Sequence, residues 1–402
     1  MVGINYTCQG ESHKATDKVC QDYSYCSVKD ELSIAIVCDG HGGEHYFRSN
    51  IGAEVAASVT VDCVTRFVNQ IDSELFQSKP FTQKSANTTE AANLSLLTKQ
   101  TQIDDVFAQL FSSIIFNWSE QISQHASTTP TSKWEQNNVP QKYLDKLSQK
   151  VNIEKIYGCT LMCYVQTPTY WFAFQIGDGK CFAFTEDGKW LEPIPWDEQC
   201  FLNKTTSMCD SRAIDEFRYC YQGDGTYPMA IFLGSDGIDD SFGANENIVN
   251  FYIQILKLFL TKSVQEVEES LHESLPQLSK IGSKDDMSIS CILNEKQLPS
   301  TIQHLIKWQL DLIGAQITLI NKNILKYKED IAKFEAQEIK SQKEMIDFQY
   351  AQKELDRLFA QKSGTVQKWN KIEAMRYSRV PALVQLSPVA SPGHTSSQAT
   401  PL

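Results

Sequence analysis

Nothing in this chain of 402 residues approaches the roughly 18 consecutive apolar residues of a membrane-spanning helix, so no membrane partner is expected. Met1 to Gly10 lacks the basic start and apolar stretch of a secretory leader. Positive charge is in deficit, with 37 Lys+Arg against 49 Asp+Glu and a net charge of −12. The imbalance is uneven: Lys307 to the end holds 14 Lys/Arg and 10 Asp/Glu, net +4, so the preceding residues carry −16. So acidic a region repels a phosphate backbone, which excludes nucleic acid as its partner and favours cations. The 12 cysteines form no CxxC pair and no Cys/His spacing of a zinc site. Several, including Cys38, Cys163, Cys181 and Cys291, sit in apolar runs; free thiols in a reducing, cytoplasmic setting are expected.

What is present divides into three stretches. Residues 1–297 mix strand and helix signals. Leu32 to Cys38 (LSIAIVC) is a buried-strand run ending in Asp-Gly, and Ile51 to Val68 carries helical spacing. Residues 77–102, rich in Ser, Thr, Asn and Gln, read as a polar insertion, followed by an amphipathic helix over Ile103 to Gln124 and polar chain over Ser127 to Pro140. Strands are expected at Thr160–Val165, Tyr170–Ile176, Lys180–Phe184, Lys189–Leu191, Met229–Leu233 and Met287–Leu293, with helices at Asn247–Leu260 and Val264–Leu271. Blocks of strands and helices, without a strict alternation, predict an α+β fold. From Ile306 apolar residues follow an a/d heptad to Phe359, broken at Glu338, Ser341 and Gln352, and no proline occurs between Pro299 and Pro381. A coiled-coil helix or helical hairpin is expected over 300–362, and a disordered tail over 363–402, rich in Pro, Ser and Thr toward its end.

Acidic residues stand where predicted strands meet turns: Asp22 (VCQDYSY), Asp39 (VCDGHGG), Asp178 (QIGDGK), Asp236 (GSDGIDD) and Asp285 (SKDDMSI). A lone Asp-Gly is usually a turn. Asp39-Gly40-His41-Gly42-Gly43 after a buried strand is much rarer, and strand-end carboxylates beside glycines can converge at one sheet edge. Oxygen donors of this kind suit Mg²⁺ or Mn²⁺, and two such ions about 3.5–4 Å apart can share a hydroxide aimed at phosphorus.

The order DGHGG, GCT, GDG, SDG, KDDMS over roughly residues 1–295 resembles the PPM-type (type 2C) metal-dependent serine/threonine protein phosphatases. The resemblance implies a β-sandwich of two antiparallel sheets flanked by helices, and hydrolysis of phosphoserine and phosphothreonine in phosphoprotein substrates. It implies two Mn²⁺ or Mg²⁺ ions, with Asp39 bridging them, the Gly40 carbonyl on one, Asp236 and Asp285 completing a shell and Asp22 further out. Asp178, Asp236 and Asp240 match positions of a weaker third metal, and His41 matches a proposed general acid.

Three departures stand against the pattern. Gln21-Asp22 replaces the frequent Glu-Asp and resembles a mainly bacterial branch. A phosphate-binding Arg is replaced by Asp17, leaving His13, Lys14 and Lys18 as nearby substitutes, and GDSR is changed to Gly177-Asp178-Gly179-Lys180. These changes allow a rival reading, a pseudophosphatase scaffold working through its coiled coil. No CxxxxxR loop offers a cysteine-dependent route. Association through 300–362, with a second copy or another protein, is the remaining partner expectation.

Overall fold

A computed structural model describes residues 1–86, 101–200, 205–336 and 341–377. Eleven strands lie in these residues: β1 Val2–Cys8, β2 Tyr23–Val28, β3 Ser33–Cys38, β4 Thr82–Lys84, β5 Leu161–Gln166, β6 Trp171–Ile176, β7 Lys180–Phe184, β8 Trp190–Leu191, β9 Arg218–Gln222, β10 Ala230–Gly234 and β11 Met287–Leu293. They form two antiparallel sheets, ordered β1-β11-β10-β7-β8 and β2-β3-β5-β6-β9-β4. The α+β sandwich anticipated from the sequence is thus the observed architecture.

The apolar strands explain the layering. All six residues of β3 are buried, and strand alternation sends them two ways. Ala35 and Val37 join Met162, Tyr164, Trp171, Ile231 and Leu233 between the sheets. Ile34, Ile36 and Cys38 face a second core built with helices Ser49–Gln70 and Gln102–Thr128, where Phe107, Phe111, Ile114 and Trp118 pack. Strands buried on both faces read as continuous hydrophobic runs, which is why β3, β5, β6 and β11 were visible in the sequence. On the other sheet, Phe232 stacks on Tyr252 of helix Asn245–Leu258 at 4.4 Å.

Several boundaries differ from the sequence reading, among them the helix expected over Val264–Leu271, which runs to Ile281. The 77–102 insertion contains strand β4, paired with β9, while residues 87–100 lie outside the described residues. The polar stretch Ser127–Pro140 holds helix Lys133–Asn138, started by a Ser132/Glu135 capping box. Helix Gln342–Tyr377 continues past 362, so the tail cannot begin there; residues 378–402 lie outside the described residues.

The chain divides into two compact units, Met1–Gln309 and Leu310–Leu402. Helix Leu298–Glu335 begins in the first, where Leu298, Ile302, Leu305 and Ile306 are buried, and Trp308 meets Trp190 edge-on. In the second unit its later turns pair with helix Gln342–Tyr377: Ile320 and Ile324 cluster with Leu355 and Leu358, and Phe334 stacks on Phe348 at 4.3 Å. The a/d stripe is therefore used as a helical hairpin. No described helix is long and apolar enough to cross a membrane.

Candidate metal centre

The same edge of the sandwich gathers the aspartates, because each stands at a strand end. Asp22 immediately precedes β2, Asp39 follows β3, Asp178 lies between β6 and β7, Asp236 follows β10 by two residues, and Asp285 precedes β11. With Gly40, His41 and Asp240 they line one cleft of about 680 Å³. All eight residues that the resemblance implies for metals and catalysis are brought together there; of the three substitutes for the absent Arg only His13 lines it, and Thr160, Ser207, Asp210 and Asp286 join them.

Local hydrogen bonds explain the motifs. The GCT segment carries the DGHGG loop: Thr160 Oγ1 accepts from Asp39 N (3.0 Å), Thr160 N donates to Asp39 O (2.8 Å), and His41 N donates to Gly158 O (3.1 Å). Gly158 has to be glycine, since a Cβ there would lie 2.7 Å from Tyr46 and 2.9 Å from His41. Gln21 braces the loop from the other side. Its side-chain amide donates to His41 O (3.0 Å) and to Ser49 Oγ, and a Cβ at Gly40 would strike the Gln21 carbonyl. The Gln21 departure is thus a structural brace. Asp236 is set against β11 by Ser235, whose N donates to Ser288 O (3.0 Å) while Ser288 N donates to Ser235 Oγ (2.9 Å).

Electrostatically the cleft is under-compensated. Among the described residues no ion pair involves Asp22, Asp39, Asp178, Asp236 or Asp240. Burial, and then the neighbouring carboxylates, pushes Asp22 and Asp39 well above the ordinary carboxylate range and Asp236 up to about 7; burial also raises Asp178 and Asp240. Asp22 is 8% exposed and its Oδ2 has no hydrogen-bond partner. A buried, unpartnered carboxylate oxygen among other carboxylates fits hard divalent cations, so the residues present match the metals that the sequence implied.

His41 occupies a different environment from the one expected of a free acid. Its Nε2 meets Ser207 Oγ at 2.7 Å, and that hydroxyl donates to Cys159 O (3.1 Å), so Nε2 carries the proton and Nδ1 is the acceptor. Burial pushes the ring down to about 4, which makes it neutral at pH 7. Of the substitutes for the absent Arg, Lys18 Nζ is tied to Gly42 O (2.5 Å), Lys14 is exposed, and His13 Nδ1 lies 2.9 Å from Asp286. Asp17 ends this segment in a left-handed turn, φ 54°. Lys180, the altered member of GDGK, pairs with Asp239 at 3.1 Å.

Sequence reasoning missed Ser207, Asp286 and the pair Arg48–Glu135. The last is buried and bidentate (2.6 and 3.2 Å), with Arg48 also donating to Tyr157 Oη (3.0 Å), and it joins the start of helix Ser49–Gln70 to helix Lys133–Asn138. The Ser132-x-x-Glu135 capping signal was available for one partner; nothing local marks the others.

The sequence model of protein phosphatase 2C matches residues 9–276, well over half of the chain. The chain belongs to the protein phosphatase 2C family. It is a metal-dependent protein serine/threonine phosphatase of the PPM type, and the family works with Mn²⁺ or Mg²⁺. Similar solved structures include the serine/threonine phosphatase Stp1 from Staphylococcus aureus (15% identity, TM-score 0.41, 73% of this chain and 95% of that one). PppA, a regulatory component of T6SS in Pseudomonas aeruginosa, gives 16% identity and a TM-score of 0.39, over 73% of this chain and 96% of that one. The catalytic domain of PstP, in complex with two manganese ions, gives 12% identity and a TM-score of 0.41, over 72% and 96%. No curated protein matches the sequence.

Proposed function

We propose that this phosphatase removes phosphate from phosphoserine and phosphothreonine in proteins at the cleft between the strand ends. Asp39, the Gly40 carbonyl, Asp236 and Asp285 are the residues that would hold the two principal cations, with Asp22 behind them. Asp178 and Asp240, with Asp236, would hold a third. Bound Mn²⁺ or Mg²⁺ supplies positive charge against the phosphoryl oxygens and acidifies a water nucleophile. The observation that carries the reading is that Asp22, Asp39, Asp178, Asp236 and Asp240, from separate strand ends, line one cleft with no ion-pair partner among the described residues, and that Asp22 keeps an orphaned oxygen.

The chain's own groups then have defined tasks. Gln21 and the GCT segment hold the DGHGG loop so that Asp39 and His41 keep a fixed separation. His41 keeps its Nε2 proton hydrogen-bonded to Ser207; a phosphate dianion in the cleft favours the charged ring, so Nδ1 takes up a proton from solvent and later delivers it to the departing alkoxide. Trp196, 47% exposed beside Lys180, offers an apolar wall to the peptide around the phosphorylated residue. All twelve cysteines are free thiols, which supports a reducing, cytoplasmic location. Leu319, Leu325, Ile346 and Tyr350 stay exposed on the helices of the hairpin, which supports association with a second copy or a partner protein.

The direct test is hydrolysis of a phosphothreonine peptide with added Mn²⁺ and with EDTA. Turnover with Mn²⁺ that vanishes in EDTA, and in Asp39→Asn with Mn²⁺, is the expected result. Full turnover after chelation and dialysis would overturn the assignment of the carboxylates.

A further inference from the structure

We propose that His13 is a metal ligand: its Nε2 and Asp285 Oδ1 grip one cation, and Asp286 aims the ring for that purpose. The inference rests on the phosphatase reading and deepens it, by adding a nitrogen donor to a site whose other donors are oxygens.

The geometry is built, not incidental. His13 lies in the short helix Glu11–Ala15, which is fastened to the turn before β11 and to helix Val264–Ile281: Ser12 N donates to Lys284 O (2.9 Å) and Glu11 N to Ser279 Oγ (3.2 Å). Asp286 is buried, 3% exposed, and accepts from Gly10 N (2.6 Å), Gln21 N (2.6 Å) and His13 Nδ1 (2.9 Å). With two backbone N–H groups already on this carboxylate, it is an acceptor, and the imidazole proton facing it sits on Nδ1. That leaves Nε2 as the atom directed at Asp285, 3.9 Å from its Oδ1. This separation is too long for a hydrogen bond. It leaves room for a single cation about 2.1 Å from each atom.

A ligating histidine commonly donates its second ring N–H to a carboxylate, which fixes tautomer and orientation. Asp286 takes that supporting part, and His13, Asp285 and Asp286 place one donor atom each within 4.8 Å of one another. His13 and Asp285 line the same cleft as Asp22, Asp39 and Asp236. An ammonium-type side chain could do no more than offset charge here, whereas an imidazole adds a bond that discriminates among metals. A nitrogen donor favours transition ions over Mg²⁺, so His13 also biases the site toward Mn²⁺ against Mg²⁺.

Pulsed EPR and calorimetry on the full chain with Mn²⁺ test this. Mn²⁺ on the unaltered protein should show a histidine-nitrogen coupling that changes when histidine carries ¹⁵N. His13→Gln should lose the coupling and bind Mn²⁺ at least about tenfold more weakly, with a smaller loss for Mg²⁺. His13→Asn keeps an N–H for Asp286 and should show the same loss while melting in EDTA like the unaltered chain. Mn²⁺ bound without nitrogen coupling, or variants that bind Mn²⁺ unchanged, would overturn the role of His13 alone. A chain that binds no Mn²⁺ would overturn the phosphatase reading as well.

Discussion

Asp236→Asn should make the metal-free protein more stable while destroying its activity. Burial and then the adjacent acids push Asp236 up to about 7, against roughly 3.9 for a free aspartate. At ~1.4 kcal/mol per pKa unit, keeping this carboxyl in the cleft at pH 7 costs up to about 4 kcal/mol. Water reaches the cleft, which lowers the figure to about 2–3 kcal/mol. The sign follows from linkage. A carboxyl raised above its unfolded value binds protons more tightly in the folded state, so its penalty grows as pH rises above the unfolded value. Asparagine removes the charge and keeps an acceptor oxygen for Asp39. In EDTA at pH 7 the variant should melt about 4–10 °C above the unaltered chain. The gap should narrow as pH falls toward 5. With Mn²⁺ the unaltered chain should gain about 2.7 kcal/mol at a hundredfold excess over Kd, and the variant little. Scanning calorimetry in EDTA and in Mn²⁺ reads all of these. A variant that melts at or below the unaltered chain in EDTA would show that the acids are not under mutual repulsion.

His41→Ala should lower kcat by about 10²–10⁴ with Mn²⁺ binding retained by calorimetry; loss of both metals would make His41 a structural residue instead. Glu135→Gln leaves Arg48 buried without its carboxylate and should cost about 3–5 kcal/mol in urea unfolding. Although burial raises Glu135, the Arg48 hydrogen bonds win and hold it below the ordinary range, so its contribution is present above the unfolded carboxylate value and is lost as pH falls through the lower folded one; a pH-independent difference between the two chains would refute this. Ending the chain after Gln297 removes Leu298, Ile302, Leu305 and Ile306 from the first unit, about 1.5–3 kcal/mol each, so only a chain ending after Gln309 should stay folded and active by circular dichroism and turnover. The full chain should sediment above its monomer mass of 45.5 kDa and the Gln309-terminated chain at its own; a monomeric full chain would exclude self-association through the hairpin.

How much of this was legible follows from what each element depends on. Strands β3, β5, β6 and β11 are buried on both faces and announce themselves as apolar runs. Strand β1 (VGINYTC) is not legible, because only Ile4 and Cys8 are buried and the strand is defined by pairing Val2 with Leu293 across the whole domain. The β9 segment RYCYQ hides a buried Arg218 whose partners, Gly177 O and Pro195 O, are set by tertiary structure. The site divides in the same way. Asp39 and Asp236 are visible because their glycines and flanking strands are local. Lys284-Asp285-Asp286 is the harder case, since two adjacent carboxylates have equal claims on a metal in sequence. In an extended segment neighbouring side chains point to opposite sides. Both line the cleft, but the Asp286 oxygens are taken up by the Gly10 and Gln21 N–H groups and by His13 Nδ1, whereas Asp285, its side chain 54% exposed, faces the cleft beside His13 Nε2. The choice between the two carboxylates is made by amides 265 and 276 residues away. The orientation of the His13 ring, set by the same buried carboxylate, is illegible from local spacing for the same reason.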